Sequence, residues 1–246
     1  MVQGVAEVLP VSSSAQLTLL PWLLRWPVPA SATTYAAGLH AGSCLGIGVA
    51  LRREVAGLDR RTAGLLLAST VPAVAAGLLA RDRVERTLGR PGPTAALLGA
   101  AGLALWAADR RPQTVVVVGP REAAAAALAQ VLALAPGVSR FGATLTALRL
   151  LQVDRAAAQR FSLLMSLPVT AGAAGLTLLG ASTGQGSSRA DLVGPLLVGA
   201  PLAAVAGGLL AARGPLPGSV PLAAVYRLAV AAAVGVRLLR QRSAGR

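Results

Sequence analysis

The chain has 246 residues, 54% of them hydrophobic and only 13% charged, with a formal net charge of +14 and a mean hydropathy of +0.65. A water-soluble globule of this size cannot hide so much apolar surface, and so few charges cannot cover it, which leaves a bilayer as the natural solvent. The basic excess does not point to nucleic acid: all 23 basic residues are arginines, no arginine run forms a stripe, and aromatic residues make up only 3% of the chain, so stacking platforms and a basic face are both missing. A single cysteine, Cys44, excludes an internal disulfide and any multi-cysteine metal site.

In chain order, the first apolar window is Met1 to Leu24, MVQGVAEVLPVSSSAQLTLLPWLL. No basic stretch leads it, so no cleavable signal peptide is expected. Pro10 and the serines after it stop one helix and start another. Three windows follow that are long enough to span a membrane as helices: Tyr35 to Leu51, Thr62 to Leu79 and Pro93 to Ala108. A second interrupted window, Ala123 to Leu151, breaks at Pro136-Gly137-Val138-Ser139-Arg140. Three more uninterrupted windows complete the chain: Phe161 to Ser182, Leu192 to Ala212 and Val220 to Leu239.

Non-helical backbone at membrane depth survives only where protein or a watery cavity covers it, so each interrupted window reads as a re-entrant hairpin of two half-helices. The two hairpins look like copies, since Gln3…Pro10 with its serines corresponds to Gln130…Pro136 and Ser139. Each is followed by an odd number of spans, which turns the second copy upside down. The predicted fold is all-α and integral to the membrane, with six transmembrane helices and two re-entrant helical hairpins. It forms one membrane domain built as an inverted repeat, about 1–112 and 113–246. Arginines divide almost evenly between the two sides, so the positive-inside rule does not set the orientation.

Among nine acids, Glu7 alone sits in an apolar stretch without a neighbouring cation. An unpaired carboxylate there costs several kcal/mol and needs a partner, a metal or a proton. Arg140, in the opposite break, is the matching anomaly. Gln3 stacks on the helical face of Glu7, four residues away. Ser12, Ser13 and Ser14 open one half-helix, and Ser139 with Arg140 opens the other. Two helix N-termini, hydroxyls and a guanidinium converging on one point suit a phosphate or diphosphate.

Gln3-Gly4-Val5-Ala6-Glu7-Val8-Leu9-Pro10-Val11-Ser12-Ser13-Ser14 resembles the (E/Q)-G-x-x-E-F-L-P-V-S-S-S signature of bacterial undecaprenyl-diphosphatases of the BacA type. Pro136-Gly137-Val138-Ser139-Arg140-Phe141-Gly142-Ala143-Thr144 is similar to that family's P-G-x-S-R-S-G-A-T. The flanks agree too: Asp154-Arg155, Phe161-Ser162 with Leu167-Pro168, and Tyr226-Arg227. The resemblance covers nearly the whole chain. It implies a plasma-membrane phosphatase that removes the terminal phosphate of undecaprenyl diphosphate, recycling the lipid carrier for peptidoglycan and other envelope polymers and conferring bacitracin resistance. It also implies a pocket opening to the outer face and a divalent cation, magnesium or calcium. On that pattern Glu7, with Gln3 as a second candidate, holds the metal or acts as base, Arg140 clamps the phosphates, and Ser13 is nucleophile or phosphate ligand. Gln3, Ser12, Ser14, Gln16, Ser139 and Thr144 would bind substrate.

Three features depart from the family pattern. Gln16 stands where histidine usually follows the serine run, and glutamine cannot transfer protons near neutral pH. Phe141 replaces the second serine of S-R-S-G, and relatives usually carry further apolar residues before the Gln. His40, the only histidine, opens the first full span and is a candidate to carry out the missing proton transfer. A second reading is a catalytically impaired paralogue that binds or flips polyprenyl phosphates.

Overall fold

The computed structural model describes residues 2–26, 32–182, 195–213 and 218–244, and these are helical almost throughout. The first interrupted window is α1 (Val2–Val8) and α2 (Ser13–Leu24). Then come α3 (Ala32–Ala50), the short α4 (Arg52–Ala56), α5 (Arg60–Leu88) and α6 (Pro91–Asp109). The second interrupted window is α7 (Pro120–Leu132) and α8 (Arg140–Leu150), followed by α9 (Arg155–Ser182). The span expected over Leu192–Ala212 begins outside the described residues. Its described part is a π-helical turn, Pro195–Gly199, running into α10 (Ala200–Ala212). The last helix is α11 (Ser219–Ala244).

Local chemistry sets these boundaries. The Asp59 side chain accepts from Thr62 N at 2.9 Å and so caps α5. Its exposed carboxyl is held below the usual range chiefly by that backbone N–H. Pro91 and Pro120 sit at helix starts, where a missing N–H costs nothing. Glu122 Oε2 accepts from Gly119 N at 3.0 Å, closing the first turn of α7. Two expected ends differ. α5 continues past Leu79 through Arg81, Asp82 and Arg83, because leaving an apolar environment does not stop a helix; an Arg81–Glu85 pair at 3.9 Å lies along the extension. α9 begins at Arg155 rather than Phe161, since Asp154 Oδ1 accepts from Ala156 N and Ala157 N at 2.9 and 3.0 Å.

Among the described residues, α5, α6 and α11 are the helices long and apolar enough to cross a membrane. At about 1.5 Å per residue even α6 approaches the roughly 30 Å of hydrocarbon. Their outward faces are apolar: Leu79 is 88% exposed, and Leu67, Val71, Leu222 and Val225 are exposed with it. Such a surface is a liability in water and ordinary against lipid.

Small residues bring the helices together. A Cβ at Gly4 would strike the Ala203 backbone, and one at Gly42 or Gly46 would strike that of Ala200 or Ala204. α1 and α3 therefore lie backbone to backbone on α10. α7 lies on α5, where Ser69 Oγ donates to Ala123 O and Gln130 Nε2 to Ser69 O, both at 3.1 Å. α3 meets α9, and α6 meets α11. The core between them holds fully buried Leu105, Leu145, Leu148 and Met165.

Candidate active site

Each break is made by the same backbone device. Ser12, before α2, has φ 67°, and Ser139, before α8, has φ 71°. A left-handed φ in a residue other than glycine costs of order 1–3 kcal/mol and persists only where its surroundings over-determine it. The turn aims the first residues of α2 and α8 into one shared cavity of about 220 Å³. From the breaks it is lined by Glu7, Ser13, Ser14, Ser139 and Arg140, joined by His40 of α3 and Thr170 of α9.

Glu7 is the hub of this cavity. Its Oε1 accepts from Gln3 Nε2 at 2.8 Å and from Ser13 Oγ at 2.9 Å, and His40 Nδ1 stands 3.0 Å away. The Arg140 guanidinium crosses from the second break and donates through Nη2 to Glu7 Oε2 at 2.5 Å. Its Nη1 donates to Thr170 Oγ1 at 2.5 Å and to Ser166 O at 3.2 Å. The acid and the cation are thus each other's counter-ion, Glu7 buried and Arg140 nearly so. Ser139 Oγ accepts from Gly142 N at 3.2 Å and caps α8.

The geometry divides the expected residues. Glu7, Ser13, Ser14, His40, Ser139 and Arg140 meet at the cavity, and Gln3 reaches it through Glu7 and His40, whose Nδ1 lies 3.0 Å from Gln3 Nε2. Ser12, Gln16 and Thr144 are not in the cavity lining. Ser12 is fully buried, with its Oγ 3.3 Å from Ser14 Oγ. Gln16 turns away: its Nε2 donates to Val11 O at 3.0 Å, and its Oε1 accepts from Tyr226 Oη at 2.6 Å. Thr144 Oγ1 donates to the α8 carbonyls of Arg140 and Phe141 at 3.1 and 3.2 Å. Phe141 lines the cavity and gives it an apolar wall with Leu134, Val169 and Ala73.

Thr170 was not anticipated. Its signal is a spacing: Ser162, Ser166 and Thr170 recur every fourth residue in the otherwise apolar stretch from Phe161 to Thr170 and are all buried. Nor is Arg140 the one buried guanidinium, since Arg149 and Arg227 are both fully buried. Arg149 serves structure. Its Nε lies 3.4 Å from Asp109 Oδ1, its Nη atoms donate to carbonyls including Asp109 O and Val153 O, and Arg155 completes the cluster on Asp109 at 2.7 and 2.8 Å.

No group of three or more His, Cys, Asp or Glu side chains suited to a metal occurs among the described residues. One feature does suit a hard cation: Gln3 Oε1, beside Glu7, is buried with no hydrogen-bond partner. Such cations take oxygen ligands, and magnesium is commonly held by one or two carboxylates plus substrate phosphates. A carboxylate and an unpartnered amide oxygen are donors of the kind such a cation takes.

Comparison with known proteins extends this picture. The family model described as "Bacitracin resistance protein BacA" matches residues 1–214. An undecaprenyl-diphosphatase of Gemmatimonas aurantiaca is 40% identical over 224 aligned residues, covering 83% of this chain and 81% of that protein. One of Geobacter sulfurreducens is 40% identical, covering 84% and 82%. A third, of Pelobacter propionicus, is 42% identical over 192 residues, 70% of each chain.

Proposed function

The chain belongs to the family of the bacitracin resistance protein BacA, and on that premise we propose that it is an undecaprenyl-diphosphate phosphatase whose site is the cavity around Glu7 and Arg140. The observation that carries this reading is the meeting of one acid from the first break with one guanidinium and one helix N-terminus from the second. Without ligand, Arg140 is held by Glu7. A diphosphate entering the cavity offers the guanidinium a better bidentate partner and meets the N-termini of α2 and α8.

Ser13 is the nucleophile in this reading. Its hydroxyl already donates to Glu7 Oε1, the arrangement that activates a weak nucleophile. Ser13 Oγ attacks the terminal phosphorus as its proton passes to Glu7. The bond to the bridging oxygen breaks, and undecaprenyl phosphate leaves. Water then attacks the phosphoserine, releasing inorganic phosphate and restoring Ser13. Arg140 and the helix ends stabilise charge on the equatorial oxygens. His40, with Nδ1 3.0 Å from the Glu7 carboxylate, carries protons in place of the histidine missing at Gln16. Magnesium or calcium, when bound, would be held by Glu7 and Gln3 Oε1 and would add positive charge beside the diphosphate.

The proposed setting is the bacterial plasma membrane, with six spans and two re-entrant hairpins in an inverted repeat of about 1–112 and 113–246, and the site open to the outer face. Support for the repeat comes from the two left-handed serines, each with a glutamine (Gln3, Gln130) nine residues upstream. The packing of α1 on α10 and of α7 on α5 supports it as well. Phosphate release from undecaprenyl diphosphate by the purified protein tests the reading. Release by the native chain, lost in both Glu7→Gln and Arg140→Ala, supports it. Lipid binding with no release by the native chain favours a carrier of polyprenyl phosphates instead.

A further inference from the structure

Two consecutive residues of α11, Tyr226 and Arg227, are not part of the cavity lining, yet each reaches one of the two breaks. Tyr226 Oη donates to Gln16 Oε1 at 2.6 Å, and Gln16 Nε2 donates to Val11 O at 3.0 Å. Arg227 Nη1 donates to Val138 O at 3.4 Å. Val11 and Val138 hold equivalent places, each immediately before the left-handed serine, Ser12 or Ser139. One helix therefore grips the same carbonyl in both copies of the break, through a glutamine on one side and directly on the other.

Arg227 has no evident structural reward for its place. It is fully buried, and its Nε and Nη2 have no hydrogen-bond partner, a costly state for a guanidinium. The fold nonetheless makes room for it: a Cβ at Gly102 would stand 3.0 Å from Arg227 Cβ, and one at Gly142 would run into the guanidinium itself. Two left-handed serines need surroundings that over-determine them, and these two contacts supply that constraint.

We infer that Tyr226 and Arg227 are positioning residues that hold the two breaks in register, so that Ser13 and Arg140, each immediately after its serine, stay aimed at one point. Gln16 then belongs to the clamp, which explains why it faces α11. This rests on the reading of the cavity as a phosphatase site for its kinetic consequence, but the clamp itself has a readout independent of activity. Hydrogen–deuterium exchange of the intact purified protein should speed up over residues 9–16 in Tyr226→Phe and over residues 134–142 in Arg227→Lys, each leaving the other break unchanged. Misplacement of reacting groups by about 1 Å costs up to 10²-fold, so Tyr226→Phe should lower kcat roughly 10- to 100-fold with KM within about twofold. Tyr226→Phe combined with Gln16→Met should be no worse than the weaker single variant, because both cut one relay, whereas Tyr226→Phe with Arg227→Lys should multiply. Exchange unchanged at both breaks, or raised equally at both, overturns the clamp whether or not the native protein releases phosphate. Loosened breaks with native kcat overturn the positioning role while leaving the phosphatase reading intact.

Discussion

The Glu7–Arg140 pair makes separate predictions for stability and for chemistry. Glu7→Gln removes the charge and keeps the shape, leaving Arg140 with Thr170 Oγ1 and Ser166 O as its remaining partners. Removing one member of a buried pair costs about 3–5 kcal/mol. Arg140 is 19% exposed and Glu7 6%, so solvent screening places the expected loss near the lower end, about 3 kcal/mol. For a chain of this length that is a fall in Tm of roughly 6–12 °C, readable by thermal unfolding in detergent. Arg140→Met should cost a similar amount by stranding the acid. The double variant Glu7→Gln with Arg140→Met strands nothing, and its Tm should recover to within roughly 4 °C of native, about 1 kcal/mol. Activity should not recover: phosphate release should be down by about 10²-fold or more in all three, as for loss of a general base or an oxyanion clamp. A double variant no more stable than either single would show that the two side chains do not neutralise each other. Release at a tenth of native or better in Glu7→Gln would remove the acid from the chemistry.

His40→Ala should lower kcat by about 10²-fold, the usual scale for a lost proton-transfer group, with little change in Tm because the side chain is only partly buried; unchanged phosphate release would end its proton-transfer role. Asp109→Ala should destabilise by about 3 kcal/mol or more, because it strands the fully buried Arg149. Its kcat, measured below the unfolding temperature, should stay near native, and a native-like Tm would contradict the cluster's structural role.

What the sequence disclosed and what it hid have physical reasons. Glu7 and Arg140 were legible because a charge in an apolar run is conspicuous, and Ser13 because Pro10 announces a new helix start beside it. The ends of α5 and α9 were less legible: charges at Arg81 and Arg160 bound the apolar windows, whereas a helix extends to its cap, which for α9 is Asp154. Thr170 sat within reach of a simple periodicity, in register with Ser162 and Ser166. The direction of Gln16 was not legible at all, since it depends on Tyr226, which only the folded chain brings alongside α2. Arg227 stood in view inside the Val220–Leu239 window, but what it and Arg149 touch was hidden for the same reason, because their surroundings come from distant helices.

The most direct measurement is an experimental structure of the purified protein with a non-hydrolysable methylene analogue of undecaprenyl diphosphate. The geometry predicts both phosphonates in the cavity between the starts of α2 and α8, with the Arg140 guanidinium on the head group and Ser13 Oγ facing the terminal phosphorus. A head group bound elsewhere, with the Glu7–Arg140 contact undisturbed, would contradict the claim that the two breaks build one phosphate site.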